Sequence, residues 1–187
     1  MRERDKRMEI KNEELLGICI KFEEEGRVFY KELANHVSEP VAKDFFLSIS
    51  GEEAKHKEYF NKILEEKGSR KYGWEDKPGL RKLIDKNFQQ GLFPELNWNL
   101  ESVYGGETFR IAFGFAKKYE ELSIEFYSTL IQNCDDLETK VLLIDLECEE
   151  KVHLYYIQHL IENFPMGVLK PISSYKFICD DLDTSEC

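Results

Sequence analysis

The chain has 187 residues, of which 42% are hydrophobic, 34% are charged and 13% are aromatic. A disordered chain would carry fewer aromatic residues, so the composition predicts a single folded domain, residues 1–187, that buries a substantial core. The net charge of −11, from 37 acidic and 26 basic residues, excludes a general nucleic-acid binder, which needs cationic side chains to neutralise phosphates.

Four stretches place apolar residues at the spacing of an amphipathic helix, and no strict alternation suggests strands. We predict long helices over residues 11–37, 40–67, 108–132 and 136–163. Short turns join the first helix to the second and the third to the fourth, so each pair is predicted to form an antiparallel hairpin. Asp135 is an expected N-cap of the fourth helix, because its carboxylate can accept an unpaired backbone N–H.

Residues 68–107 differ from these stretches, since they hold six of the eleven glycines, two of the five prolines and both tryptophans. We interpret them as a long crossover between the second and third long helices, with one short amphipathic helix around Leu80, Leu83, Ile84 and Phe88. Residues 164–187 contain further helix breakers and an acidic end, and we interpret them as a tail. The pattern predicts an all-α, antiparallel four-helix bundle.

The sequence favours a cytoplasmic protein. No apolar run approaches the roughly 20 residues that a membrane-spanning helix needs, and residues 1–10 lack the apolar segment of a signal peptide. No two cysteines form a C-x-x-C pair, which excludes a rubredoxin-type iron site and a zinc ribbon by the usual spacings. An odd number of cysteines without a framework spacing is typical of reduced thiols. The five cysteines are Cys19, Cys134, Cys148, Cys179 and Cys187.

An internal repeat relates the two predicted hairpins. When the sequence is shifted by 97 residues, the halves align without a gap, and polar as well as apolar residues coincide. Matching apolar residues would indicate only two similar cores. Buried carboxylates and imidazoles, however, are costly unless they are paired or bound to a metal, so their repetition suggests that both halves serve one polar site. The polar matches are Glu23 with Glu120, Glu52 with Glu149, Glu53 with Glu150, and His56 with His153.

Each half therefore offers a lone Glu on its first helix and a Glu-x-x-His pair on its second. Residues three apart lie on one helix face, so each pair can point into the bundle. This is the donor arrangement of di-iron carboxylate bundles. Four glutamates balance two divalent ions, and neutral imidazoles complete the ligand shells; such donors suit iron or manganese, and imidazole also suits zinc. The predicted metal ligands are Glu23, Glu53, His56, Glu120, Glu150 and His153.

These motifs resemble the rubrerythrin branch of the ferritin-like superfamily. The similar segments are E-E-E-G-R-V-F-Y at 23–30 with E-E-A-K-H at 52–56, and E-E-L-S-I-E-F-Y at 120–127 with E-E-K-V-H at 149–153. The resemblance implies a ferritin-like four-helix bundle with two iron ions, which reacts with hydrogen peroxide or dioxygen, and a homodimer. It also implies that Tyr30 and Tyr127 lie near the metal ions and hydrogen-bond carboxylate ligands.

The chain departs from the family pattern in two ways. It has no rubredoxin-like domain, so we expect a separate electron donor, such as a rubredoxin-like protein. A seventh carboxylate of typical rubrerythrins is replaced by Lys117, with Glu147 as a possible substitute one turn before Glu150. His36 and His159 fall outside the repeat and are predicted to be surface residues.

Two further functions remain open at this stage. A ferroxidase or iron carrier without peroxidase turnover would use the same ligands, and the replacement at Lys117 favours it slightly. A bundle with a structural or sensory zinc site would also fit the donors.

Overall fold

The computed structural model describes residues 10–67, 71–88 and 106–163. Within these ranges the chain is helical and contains no strand, which confirms the predicted all-α class. The bounds of the four long helices differ from the predicted ones by at most two residues. The predicted tail at 164–187, with Cys179 and Cys187, and parts of the crossover lie outside the described residues. The helices are α1 (Asn12–His36), α2 (Pro40–Lys67), α3 (Pro78–Asn87), α4 (Gly106–Asn133) and α5 (Leu137–Asn163), with a short 3₁₀ helix at Trp74–Asp76.

The bundle consists of two helix hairpins. Helix α1 packs against α2, α4 packs against α5, and α1 also contacts α4. Each long helix buries residues at intervals of three and four, as on α1, where Leu15, Cys19, Phe22 and Leu33 are buried. The same spacing carries Glu23 into the interior of the bundle. None of the helices in the described part of the chain has the length and apolarity needed to cross a bilayer.

The turn between α4 and α5 corrects one predicted cap. The backbone N–H of Thr139 donates to the carboxylate of Asp136 at 3.0 Å, so Asp136, and not Asp135, caps α5. The backbone N–H of Asp135 instead donates to the carbonyl oxygen of Tyr72 at 2.7 Å. This bond ties the crossover to the α4–α5 turn.

The crossover packs against α1 and α4 through both polar and aromatic contacts. The indole of Trp74 donates to the Leu130 carbonyl at 3.4 Å, and the Phe88 ring lies 5.0 Å from the Phe126 ring. On the short helix α3, Leu80 and Ile84 are buried with Phe88 as predicted. Leu83, which the pattern assigned to the same face, is 38% exposed.

Candidate metal centre

Six ionisable side chains lie in the middle of the bundle, at the level where the two hairpins face each other. A buried charge without a partner is strongly unfavourable, so their presence here requires a compensating interaction. They are the six ligands predicted from the repeat, and their exposed fractions are 0% for Glu23, Glu53, His56 and Glu120, 1% for Glu150 and 3% for His153.

The six side chains form two overlapping groups. In each group, the potential ligand atoms lie within 4.8 Å of one another. Glu53 and Glu150 belong to both groups, so these two carboxylates lie between the two potential metal positions. The first group is Glu23, Glu53, His56 and Glu150, and the second is Glu53, Glu120, Glu150 and His153.

The Nδ1 atom of each histidine faces the carboxylates. For His56, Nδ1 lies 3.1 Å from Glu150 and 3.4 Å from Glu23. For His153, Nδ1 lies 3.4 Å from Glu150 and 3.6 Å from Glu120. Among the described residues, both Nδ1 atoms and at least one oxygen of every central glutamate are buried without a well-directed hydrogen bond. Buried oxygen and nitrogen atoms that lack a hydrogen-bond partner can offer their lone pairs to a metal ion.

The Nε2 atom of each histidine is held by a carboxylate of the other half. His56 Nε2 lies 2.8 Å from Glu149, and His153 Nε2 lies 2.5 Å from Glu52. A carboxylate at Nε2 fixes the tautomer and leaves the Nδ1 lone pair for a metal ion. This role was not predicted from the sequence, although the repeated Glu-Glu pairs at 52–53 and 149–150 contained the signal.

Two tyrosines also reach across between the halves. The hydroxyl of Tyr30 donates to Glu120, and the hydroxyl of Tyr127 donates to Glu23. Both tyrosines are fully buried. The contacts agree with the hydrogen bonds that the family resemblance implied. Each tyrosine bonds a glutamate of the hairpin to which it does not itself belong.

The electrostatics of the metal-free cluster depend on burial and on crowding of like charges. Burial, together with the charges of Glu150 and Glu23, raises the pKa of Glu53 well above its ordinary value. Burial, followed by the charge of Glu150, raises the pKa of Glu120 to about 8. Burial would lower the pKa of His56, but the nearby carboxylates of Glu149, Glu150 and Glu23 outweigh it and raise the pKa. The metal-free cluster therefore retains protons that bound cations would displace.

Four other candidates lie away from this cluster. Lys117 is partly exposed and pairs with Glu121 at 3.8 Å, so its side chain does not enter the centre. Glu147 pairs with Lys151 at 3.1 Å and belongs to neither group. His36 and His159 are exposed, as predicted.

Comparisons with known proteins agree with this geometry. Residues 14–161 match the family model described as Rubrerythrin. A crystal structure described as that of a ferritin-like diiron-carboxylate protein from Thermotoga maritima matches 82% of this chain and 96% of its own, with a TM-score of 0.62 and 22% sequence identity. The likeness confirms the predicted ferritin-like bundle. No curated protein matches the chain.

Proposed function

Because the chain belongs to the rubrerythrin family, we propose that it is a di-iron redox protein that reduces hydrogen peroxide or dioxygen. The observation that carries the proposal is the pair of overlapping donor groups, which share Glu53 and Glu150. Each group contains one histidine, so each potential ion position has one imidazole and shares the two carboxylates with the other. The proposed role is protection against oxidative stress.

The residues fit two iron ions by chemistry and by charge. Four carboxylates supply four negative charges, which two divalent cations neutralise, and the two imidazoles add ligands without charge. Mixed oxygen and nitrogen donors suit iron or manganese and also accommodate zinc. When bound, the ion pair supplies Lewis acidity and stores the two electrons that peroxide reduction requires. Family and donor set together suggest iron.

The chain's own residues orient the ligands and keep the centre dry. Glu149 and Glu52 hold the Nε2 atoms of the histidines, so that each Nδ1 faces the acids. Tyr30 and Tyr127 each keep a hydroxyl proton at a carboxylate oxygen of the centre. The six central side chains are almost fully shielded from bulk water, and aromatic rings pack beside them, as in the stacked pair of Phe60 and Tyr127 with centroids 6.3 Å apart. Exclusion of water strengthens these electrostatic interactions.

The proposed source of electrons is a separate protein. Its cysteines form no C-x-x-C pair, and two of them, Cys19 and Cys134, are buried free thiols. The proposed reductant is a separate rubredoxin-like protein, and free thiols accord with a reducing cytoplasm. The homodimer implied by the family stays a prediction.

The second candidate function is that of a ferroxidase or iron carrier. It is favoured by Lys117, which stands where typical rubrerythrins carry a further carboxylate and whose side chain lies outside the centre. Without that carboxylate the centre offers six potential ligands among the described residues, and its turnover with peroxide would be less efficient. A ferroxidase would react with dioxygen and would take up more than two iron ions per chain.

The test begins with metal analysis after anaerobic purification. The reduced, iron-loaded protein is then mixed with peroxide and, separately, with dioxygen, while the ferric absorption band is followed. His56→Ala is compared with His36→Ala, which removes an exposed imidazole from the same hairpin. We expect the wild type and His36→Ala to bind two iron ions per chain and to be oxidised rapidly by peroxide. His56→Ala should lose both the full iron content and the rapid oxidation. Fewer than two ions, or no oxidation by either peroxide or dioxygen, would refute the redox proposal; oxidation by dioxygen with continued iron uptake would establish the ferroxidase.

A further inference from the structure

One residue of the crossover distinguishes the two halves of the metal centre. Phe88, at the C-terminal end of α3, is buried, and its backbone N–H donates to the carbonyl oxygen of Ile84 at 2.8 Å. The internal repeat supplies no second phenylalanine of this kind, because the residue 97 positions further along is Ser185. A contact made by Phe88 can therefore separate two ion positions whose ligands are otherwise equivalent.

Helix α3 is held against both of the helices that carry a lone glutamate ligand. The Arg81 guanidinium pairs with Glu14 of α1 at 2.8 Å. At the end of α3, the Phe88 ring lies edge-on to the Phe126 ring of α4, with centroids 5.0 Å apart. Edge-to-face aromatic contacts at this separation are favourable, so α3 bridges α1 and α4.

Phe126 connects this contact to the ligand Glu23. Its ring stacks on that of Phe22, with centroids 4.4 Å apart, and Phe22 directly precedes Glu23 in α1. The Phe126 ring also lies 5.9 Å from that of Tyr127, whose hydroxyl donates to Glu23. Buried rings are close-packed and have few alternative positions, so a Phe126 ring that is fixed by Phe88 also restricts Tyr127.

The other half supports its lone glutamate from within the bundle. Tyr30, the repeat counterpart of Tyr127, donates to Glu120, and its ring lies 6.1 Å from that of Phe46 on α2. Phe46 in turn packs against Phe113 of α4 at 4.6 Å. These contacts join the long helices to one another, whereas the contacts that lead to Tyr127 begin in the crossover.

We propose that Phe88 is a positioning residue of the metal centre. It acts through Phe126 and Tyr127 on the ligand Glu23. This inference rests on the proposed dinuclear site. The crossover supports the ion position that contains Glu23, and the position that contains Glu120 depends on the long helices. Docking of α3 and occupation of the Glu23 position then stabilise each other, because a coupling between two sites acts equally in both directions.

The test uses Co²⁺ as the probe and introduces Phe88→Ala into the wild type, Tyr127→Phe and Tyr30→Phe. Tyr30→Phe is the matched control, because it removes the equivalent hydroxyl from the opposite half of the centre. We expect the wild type to bind two Co²⁺ per chain, and Phe88→Ala to bind one of them about 10-fold more weakly. The same loss should appear in the Tyr30→Phe background. It should be largely absent in the Tyr127→Phe background, where the hydroxyl through which Phe88 acts is missing.

Losses of equal size in all three backgrounds would show that Phe88 does not act through Tyr127, and would overturn the inference. An unchanged Co²⁺ affinity in Phe88→Ala would overturn it as well. Both results leave the proposed function intact, whereas a wild-type protein that binds fewer than two ions would refute both. If Phe88→Ala does not fold, Phe88→Leu replaces it, since leucine keeps apolar volume without a ring.

A second measurement leaves Phe88 in place and follows hydrogen exchange of the α3 backbone amides. Saturating Co²⁺ should slow this exchange in the wild type and in Tyr30→Phe, because metal binding at the Glu23 position stabilises the docked α3. The slowing should be smaller in Tyr127→Phe, in which the connection from α3 to Glu23 is broken. Equal slowing in all three proteins would overturn the inference.

Discussion

Replacement of Glu120 by glutamine should stabilise the metal-free protein at alkaline pH. Glu120 is fully buried, and its pKa is raised to about 8 by burial and by the charge of Glu150. A folded pKa above the unfolded one means that the metal-free wild type loses stability as the pH rises from about 4.5 to about 8. Glutamine cannot ionise, so Glu120→Gln should escape this loss while it retains an oxygen for the hydroxyl of Tyr30.

The size of the effect follows from the pKa shift. The difference between 8 and 4.5 is 3.5 pH units, and each unit corresponds to about 1.4 kcal/mol, which gives an upper value of roughly 5 kcal/mol. The neighbouring acids share the protons of the cluster, so part of this free energy is recovered when another carboxylate protonates. We expect a gain of about 2–5 kcal/mol at pH 8 relative to pH 4.5.

Urea denaturation of the metal-free proteins at several pH values between 4.5 and 8 measures this gain. Glu121→Gln is the matched control, because it removes a carboxylate from the next, exposed position of α4. With metal present the order should reverse, since Glu120→Gln loses a ligand and with it part of the stabilisation by bound ions. If the free energies of unfolding of Glu120→Gln and the wild type differ by the same amount at every pH, the central acids do not form a buried, mutually repelling cluster.

Three further predictions concern a carboxylate beside a histidine, the protons of the metal-free cluster, and a glycine in the crossover. Glu149→Ala, which removes the carboxylate at His56 Nε2, should weaken Co²⁺ binding about 10-fold by calorimetry; an equal loss in the control Glu147→Ala would contradict the assignment. Metal binding at pH 7 should release protons, because the raised pKa values of the central groups leave them partly protonated without metal; calorimetry in buffers of different ionisation enthalpy detects the release, and a buffer-independent heat would argue against it. Gly73→Ala should lower the free energy of unfolding by about 1–2 kcal/mol, because Gly73 has a φ of 92°, whereas the exposed Gly79, with open space at its Cβ, should tolerate alanine; equal losses in urea denaturation would refute the distinction.

Much of the architecture could be predicted from the sequence because its signals are periodic. Apolar spacing identified the four long helices, and the repeat identified six polar residues at equivalent inner positions. The structure places all six in one cluster, and their role as metal ligands stays a prediction. The helix pattern alone could not predict that the Leu83 side chain is exposed, because the face that the short helix buries depends on where the crossover lies against the bundle. Similarly, Asp135 and Asp136 are chemically equal caps, and only the start of the helix at Leu137, one residue later than predicted, distinguishes them.

The contacts around the ligands were harder to predict, because they join residues far apart in the chain. Repeat positions indicated that Tyr30 and Tyr127 are equivalent, but not that each bonds a glutamate of the opposite half. Glu52 and Glu149 look like solvated helix acids in sequence, and only the packing of α2 beside α5 brings them to the histidines.

The reciprocal bonds between the halves have a consequence for how such a centre could arise. One hairpin alone holds three of the six ligands, while the carboxylate that orients its histidine and the tyrosine that holds its first glutamate belong to the other hairpin. Two identical hairpins related by a two-fold axis would satisfy all of these contacts. The single chain thus carries, within one polypeptide, the two-fold relation that a pair of identical hairpins would have, and each half depends on the other to complete the surroundings of its ligands.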